Sequence, residues 1–343
     1  MRWQQILGGL TLTATLGMTL WGCPKETPPA GPPAATTTDG KTSFRSGGQI
    51  NIVVIPKGTS NSFWQTINAG AQAAGKEESV KVDFDGPANE TDNSEQINMI
   101  QNYVTKGVKG IVLAAIDSEA LLKPTQDAIA KGVAVVTVDS GLLKDKDPSY
   151  CFIATDNVEG GKQAAIALAK EIGDKGNVGI LGFVKGAGSN DDRLKGFTDE
   201  IAKHPNIKIA ATLYDDSNAA KALEMATDLV TAHPDIVGIY AANEPGGVGA
   251  GNYLKQFNKV GKIKLVAFDA SEDEIKDLQS GLIQALIVQD PYQMGYLGVK
   301  EVLKAIKGMP AEKKFVDSGV TVVTKANFDT PAVQKLLYPT GKK

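Results

Sequence analysis

The chain has 343 residues, a formal net charge of −3 and 42% apolar residues. That length exceeds one average domain and points to roughly two. The apolar share and a mean hydropathy of −0.13 exclude wholesale disorder and a multi-span membrane protein, and the weak acidic balance offers no basic field for nucleic acid.

Arg2 precedes an uncharged apolar stretch over 6–20 that ends in Leu20-Trp21-Gly22-Cys23. A stretch this short with one basic flank predicts a cleaved export signal over 1–22 rather than a spanning helix. The Leu-x-Gly-Cys ending resembles a bacterial lipobox, with Trp21 bulky for its place. That resemblance implies cleavage before Cys23 and a diacylglycerol on its sulfur, with the membrane touched only through this lipid. Residues 23–48, rich in Pro, Ala and Thr, predict a tether.

From residue 49 the pattern changes to short β-branched runs alternating with helical spacing. Strands are predicted over 50–55, 81–84, 111–114 and 133–138, with helices over 61–78, 92–106 and 118–131. Cys151 lies in another strand-like run and reads as a buried small hydrophobe. The rhythm restarts with helices over 158–172, 191–203, 219–232, 247–257, 272–280 and 292–306. Strands alternate with them over 178–181, 207–213, 237–240, 265–268 and 283–288, and a last one falls at 320–323. This alternation predicts an α/β protein of parallel sheets with helices on both faces. About ten strands overshoot both a closed eight-stranded barrel and one comfortable sheet, so two doubly wound lobes are expected.

Ligands of open parallel sheets bind beyond the carboxyl ends of the strands. Those positions hold Lys57, Asn61, Phe63 and Trp64 after the first strand, and Asp139 and Ser140 after the fourth. Further on come Arg193, then Asn243, Asp269 and Gln289. Carboxylates accept paired hydroxyl bonds, arginine donates a rigid fork, and aromatic faces cover the C–H side of a ring. The inventory suits one neutral polyhydroxylated molecule. Enzyme patterns fail: Gly247 and Gly249 begin a dinucleotide fingerprint that Asn252 does not complete, and no phosphate loop or nucleophile elbow occurs. His204 and His233 each precede a proline and read as helix-terminal. No catalytic residue, metal site or cofactor is expected.

At these residues the chain resembles the ribose/galactose-type periplasmic binding proteins, the solute receptors of sugar ABC importers. The marks are Asn61-Ser62-Phe63-Trp64, Val138-Asp139, Thr155-Asp156-Asn157-Val158-Glu159-Gly160-Gly161, Arg193-Leu194-Lys195-Gly196-Phe197, Thr231-Ala232-His233-Pro234-Asp235, Ala242-Asn243-Glu244, Ala267-Phe268-Asp269 and Gln289, and the likeness spans about 48–325. It implies a type I periplasmic binding fold with interleaved lobes, 49–154 plus 290–318 and 155–289 plus 319–343, joined by a three-stranded hinge. It also implies a non-enzymatic, monomeric protein that passes a monosaccharide-like ligand to the membrane subunits of an ABC importer. The alternative it leaves open is a chemotaxis or signalling receptor for a polyol, furanosyl signal molecule or nucleoside. In the site it implies Asn61, Asp139, Arg193, Asn243, Asp269 and Gln289 as the polar shell, Phe63 and Trp64 against the ring, and Lys57 and Ser140 beside them. Ser140 stands where ribose receptors carry an arginine. Where they carry a second-lobe aromatic, this chain is expected to offer only Asp215, Asp216 and Ser217.

Overall fold

The structure is a computed structural model that describes residues 50–341. The predicted export signal, Cys23 and the tether lie outside the described residues. Two six-stranded sheets carry the chain. The first is built from β1 (Asn51–Ile55), β2 (Lys81–Phe84), β3 (Gly110–Leu113), β4 (Ala134–Val138), β5 (Phe152–Ala154) and β11 (Phe315–Asp317). The second is built from β6 (Gly176–Gly182), β7 (Ile207–Tyr214), β8 (Ile236–Ala241), β9 (Lys264–Phe268), β10 (Ala285–Gln289) and β12 (Val320–Val323). Their spatial orders, β11-β5-β4-β3-β1-β2 and β12-β10-β9-β8-β6-β7, share one pattern of crossovers. The central strands are buried along their whole length, as in β3 and β4. That burial explains why they read as continuous apolar runs rather than alternating ones.

Helices α1 (Ser62–Glu77), α2 (Asn93–Thr105), α3 (Leu122–Ala130) and α9 (Pro291–Ile306) sandwich the first sheet. The second is flanked by α4 (Asn157–Glu171), α5 (Gly188–Ile201), α6 (Ala219–Ala232), α7 (Glu244–Gln256), α8 (Glu272–Ser280) and α10 (Pro331–Leu337). Each sheet thus has an apolar core on both faces.

Two helix pairs are drawn together by glycine, and both bear on the site. A methyl on Gly161 would lie 2.0 Å from the Arg193 carbonyl, and one on Gly196 2.0 Å from that of Val158. Only glycine permits this approach of α4 to α5, and it sets Arg193 beside the start of α4. Gly70 and Gly295 do the same for α1 and α9, each facing a carbonyl at 2.0 Å.

The chain crosses between the sheets three times: after β5, after β10 and between β11 and β12. The Thr155 hydroxyl donates to the Gly319 carbonyl (3.0 Å), tying the first crossing to the third. Residue Gln289 pairs with Val320, tying the second to the third.

Two features differ from the sequence expectation. The sheets are not wholly parallel, because β12 runs antiparallel to β10. β11 leaves the first sheet at its carboxyl edge, and a two-residue turn at Ser318-Gly319 gives no room for a crossover. The chain therefore enters the second sheet from the carboxyl edge and runs against its neighbours. Neither the three-residue β11, beside Lys313 and Lys314, nor α10 was expected; each is too short to show a period.

Candidate functional site

Between the carboxyl edges of the two sheets lies a cavity. It is lined by Lys57, Asn61, Phe63, Trp64, Asp139, Arg193, Asn243, Asp269 and Gln289, all expected from their strand-end positions, and by four residues not singled out, Glu90, Phe183, Glu244 and Pro245. Ser140 is not in this lining. Its hydroxyl is buried without a hydrogen-bond partner among the described residues, and it lies toward α5, where a methyl on Gly188 would be 4.0 Å away.

On the first-sheet side, Glu90 organises the wall. Its Oε1 accepts from the Trp64 indole Nε1 (2.8 Å) and from Asn61 Nδ2 (3.0 Å). Phe63 meets Trp64 edge to face with ring centroids 5.0 Å apart, a favoured aromatic geometry. Lys57 is 3% exposed, and its Nζ donates to Ser189 Oγ of α5 at 3.1 Å. The same Nζ lies 3.2 Å from Asp139 Oδ2 and 3.8 Å from Glu90 Oε2. A buried ammonium at this depth requires such anionic partners.

On the second-sheet side, Arg193 is 2% exposed and held twice. Its Nε donates to Asn157 Oδ1 and its Nη1 to the Ala242 carbonyl, both at 2.8 Å. The guanidinium stacks 3.7 Å above the Phe268 ring, and Nη2 is left 4.0 Å from Asp139 Oδ1. Asn243 caps α7 by accepting from Gly246 N–H and donates to Ser217 Oγ. Asp269 Oδ1 accepts from Gln289 Nε2 (2.7 Å), and Oδ2 from the Glu244 N–H (3.0 Å). Burial pushes the Asp269 carboxyl up to about 6; the Arg193 charge and the Gln289 bond hold it down. Asp215, just behind this wall, is pushed up to about 7, chiefly by burial.

Asp139 and Asp269 both sit in the left-handed region, with φ of 57° and 77°. Aspartate tolerates this conformation better than most residues, though at some cost. At both strand ends it turns a carboxylate into the cavity. Asp139 Oδ2 and Gln289 Oε1 are buried acceptors without a hydrogen bond among the described residues. The cavity therefore offers acceptors on both sides and cationic donors from both, facing an aromatic wall.

That aromatic surface includes Phe183, which corrects the expectation of a second side without an aromatic. β6 runs to Gly182, so Phe183 is the first residue beyond it, 1% exposed and 4.9 Å by ring centroid from Lys57 Nζ. Reading the strand end one residue longer would have found it. Glu90 follows β2, whose carboxyl end went unread, and Glu244 adjoins Asn243.

The sequence matches the model of the periplasmic binding protein domain over residues 52–310. It is 30% identical to the D-allose-binding periplasmic protein of Escherichia coli K12 over 278 residues, covering 77% of this chain and 89% of that protein. With the ribose import binding protein of Haemophilus influenzae it shares 30% identity, over 79% and 91% of the two chains. Solved structures match as well. A carbohydrate transporter solute-binding protein from Agrobacterium radiobacter, in complex with D-arabinose, superposes with a TM-score of 0.81 at 38% identity, over 85% of this chain and all of that one. An ABC transporter solute-binding protein from Agrobacterium vitis with bound D-fucose gives 0.81 at 39% identity, over 84% and 100%.

Proposed function

The chain belongs to the periplasmic binding protein family, and from that premise we propose that it is an extracytoplasmic receptor that closes on one monosaccharide and presents it to an ABC importer. The observation that carries this is the small polar cavity between the two sheets, furnished from both sides. Its acceptors, cationic donors and aromatic faces converge on one small space, which suits a single polyhydroxylated ring. The family is one of binding proteins, not enzymes. Relatives that bind D-allose, ribose, D-arabinose and D-fucose by name support the ligand class.

In this reading the lobes are 49–154 plus 290–318 and 155–289 plus 319–343. Lys57, Asn61, Glu90 and Asp139 meet the ligand from one lobe, and Arg193, Asn243, Asp269 and Gln289 from the other. Trp64 and Phe183 cover the ring. Closure is a population shift, because contacts from both lobes exist together only in the closed form. Lipid on Cys23 would hold a monomeric receptor at the membrane through the tether; mass spectrometry showing an unmodified mature N-terminus would remove the anchor.

A thermal-shift screen tests the ligand class. A ligand that binds only the folded state raises the melting temperature in proportion to ln(1 + [L]/Kd). Among pentoses, hexoses, polyols and nucleosides at millimolar concentration, a monosaccharide is expected to give the largest shift. A panel in which only nucleosides or polyols respond would overturn it.

A further inference from the structure

The side chain of Glu244 belongs to the second sheet's half of the molecule, yet its hydrogen-bond donors among the described residues lie in the other. Oε1 accepts from the backbone N–H of Ser62 (3.1 Å), and Oε2 from the Phe63 N–H (3.0 Å) and the Ser62 hydroxyl (2.8 Å). These are the first N–H groups of α1. They would ordinarily be satisfied by the helix's own N-cap residue and favoured by acidic residues in its first turn. α1 lacks both. Its N-cap Asn61 makes no capping bond, its amide being turned to Glu90, and its first turn carries no acid.

Glu244 is also the first residue of α7. One carboxylate thus lies between the amino-terminal ends of two helices from opposite halves. Without it, two positive helix ends would face each other. Its own N–H is anchored on Asp269, so the contact joins the polar shell of one half to the Phe63–Trp64 wall of the other.

We propose that Glu244 is the latch of the closed cleft, a positioning residue that favours closure without itself needing a sugar. This rests on the reading of a cleft that opens and closes. Opening would strip the α1 N–H groups of their acceptor and expose them to water. A carboxylate at a helix N-terminus contributes enough to shift the closed-to-open ratio about tenfold.

The test is amide hydrogen exchange on the full chain without sugar, comparing wild type with Glu244→Gln and Ser62→Ala. The Ser118 N–H is a remote reporter, bonded to the Gly186 carbonyl across the cleft (3.2 Å). Glu244→Gln is expected to speed exchange at residues 62–63 and, about tenfold, at Ser118, while amides in β3 and β8 stay protected. Faster exchange at 62–63 with Ser118 unchanged would make Glu244 a local cap and overturn the latch. Unchanged exchange at both would overturn it too. Ser62→Ala removes one of the three bonds from an exposed position. It should move Ser118 in the same direction by less, and it decides the matter if Glu244→Gln does not fold. D-arabinose at saturating concentration is a separate arm. If it fails to slow Ser118 exchange in wild type, that counts against this sugar and leaves the latch standing or falling on the sugar-free result.

Discussion

The two walls of the cavity are held in different ways. On the second-sheet side the polar groups are fixed by neighbours from the same half. Arg193 is held by Asn157 and Ala242, Asn243 by Ser217 and Gly246, and Asp269 by Gln289 and Glu244 N–H. On the first-sheet side the central charges are paired with each other, Lys57 with Asp139 and Glu90, and they also reach across the cleft: Lys57 to Ser189, and Asp139 toward Arg193. The Asn61–Glu90–Trp64 group there is held entirely within its own side. One wall is therefore a preformed template, and the other is completed by closure. Preorganised groups lose little freedom on binding and give the larger share of net affinity.

If that contrast is right, Arg193→Ala has the largest effect. It removes a charged donor to the ligand and leaves Asn157 Oδ1 and the Ala242 carbonyl without their partner. A loss of roughly 2–5 kcal/mol in sugar affinity is expected by calorimetry. Lys57→Ala should cost less, because its ion pairs with Asp139 and Glu90 lie within its own side and only its hydrogen bond to Ser189 depends on closure. Equal losses would break the distinction between template and clamp.

Asp269 sharpens it through pH. Burial raises its carboxyl from 3.8 to about 6, so between those values the folded protein holds a proton that the unfolded chain has released. The sugar-free protein therefore gains stability as pH falls through about 6, by on the order of 2–3 kcal/mol from this group once pH nears 4. Above about 6 that contribution is absent. Sugar affinity should move the opposite way, because a protonated Asp269 accepts a hydroxyl less well. Asp269→Asn should flatten part of the stability slope, the remainder coming from Asp215, Glu274 and other carboxyls that burial also raises. Melting temperatures of the two proteins between about pH 4 and 7 check this; parallel slopes would mean that Asp269 titrates normally.

The aromatic pair compares the walls directly. Trp64→Phe keeps a ring but deprives Glu90 Oε1 of the indole donor, a cost of about 1–2 kcal/mol. Phe183→Leu keeps apolar volume and loses the ring face, about 1 kcal/mol of sugar affinity. The first change should appear in stability as well as binding, the second mainly in binding.

Much of this architecture was legible because doubly covered strands must be apolar throughout, so their ends could be located from composition. Once ends are known, the rule that ligands sit beyond them picks out Asp139, Asn243 and Asp269 without any view of the fold. The rule erred where an end was misplaced or left unread. Gly182 ends β6 without an apolar side chain, which hid Phe183. The loop after β2 carries an ordinary-looking acid, and only the fold shows that Glu90 reaches the Trp64 indole. The Glu244 contact joins residues 182 positions apart, a distance no local pattern encodes. β11 and the antiparallel β12 arise from the chain passing edge to edge, a tertiary demand on segments with little period of their own.

Ser140 gives the smallest expected effect and the cleanest check on position-based reasoning. It follows Asp139 directly at a strand end, so sequence alone puts it beside the ligand. The structure puts its hydroxyl outside the cavity lining, buried and without a hydrogen-bond partner among the described residues. A buried hydroxyl lacking a hydrogen bond is costly to keep, and replacing it by hydrogen is near neutral or stabilising. Ser140→Ala should thus leave sugar affinity unchanged and alter stability by no more than about 0.5 kcal/mol in the unfavourable direction. A loss of affinity in this variant would mean that the first wall moves Ser140 into contact on binding. That wall would then be reshaped by the ligand and not merely brought up to it.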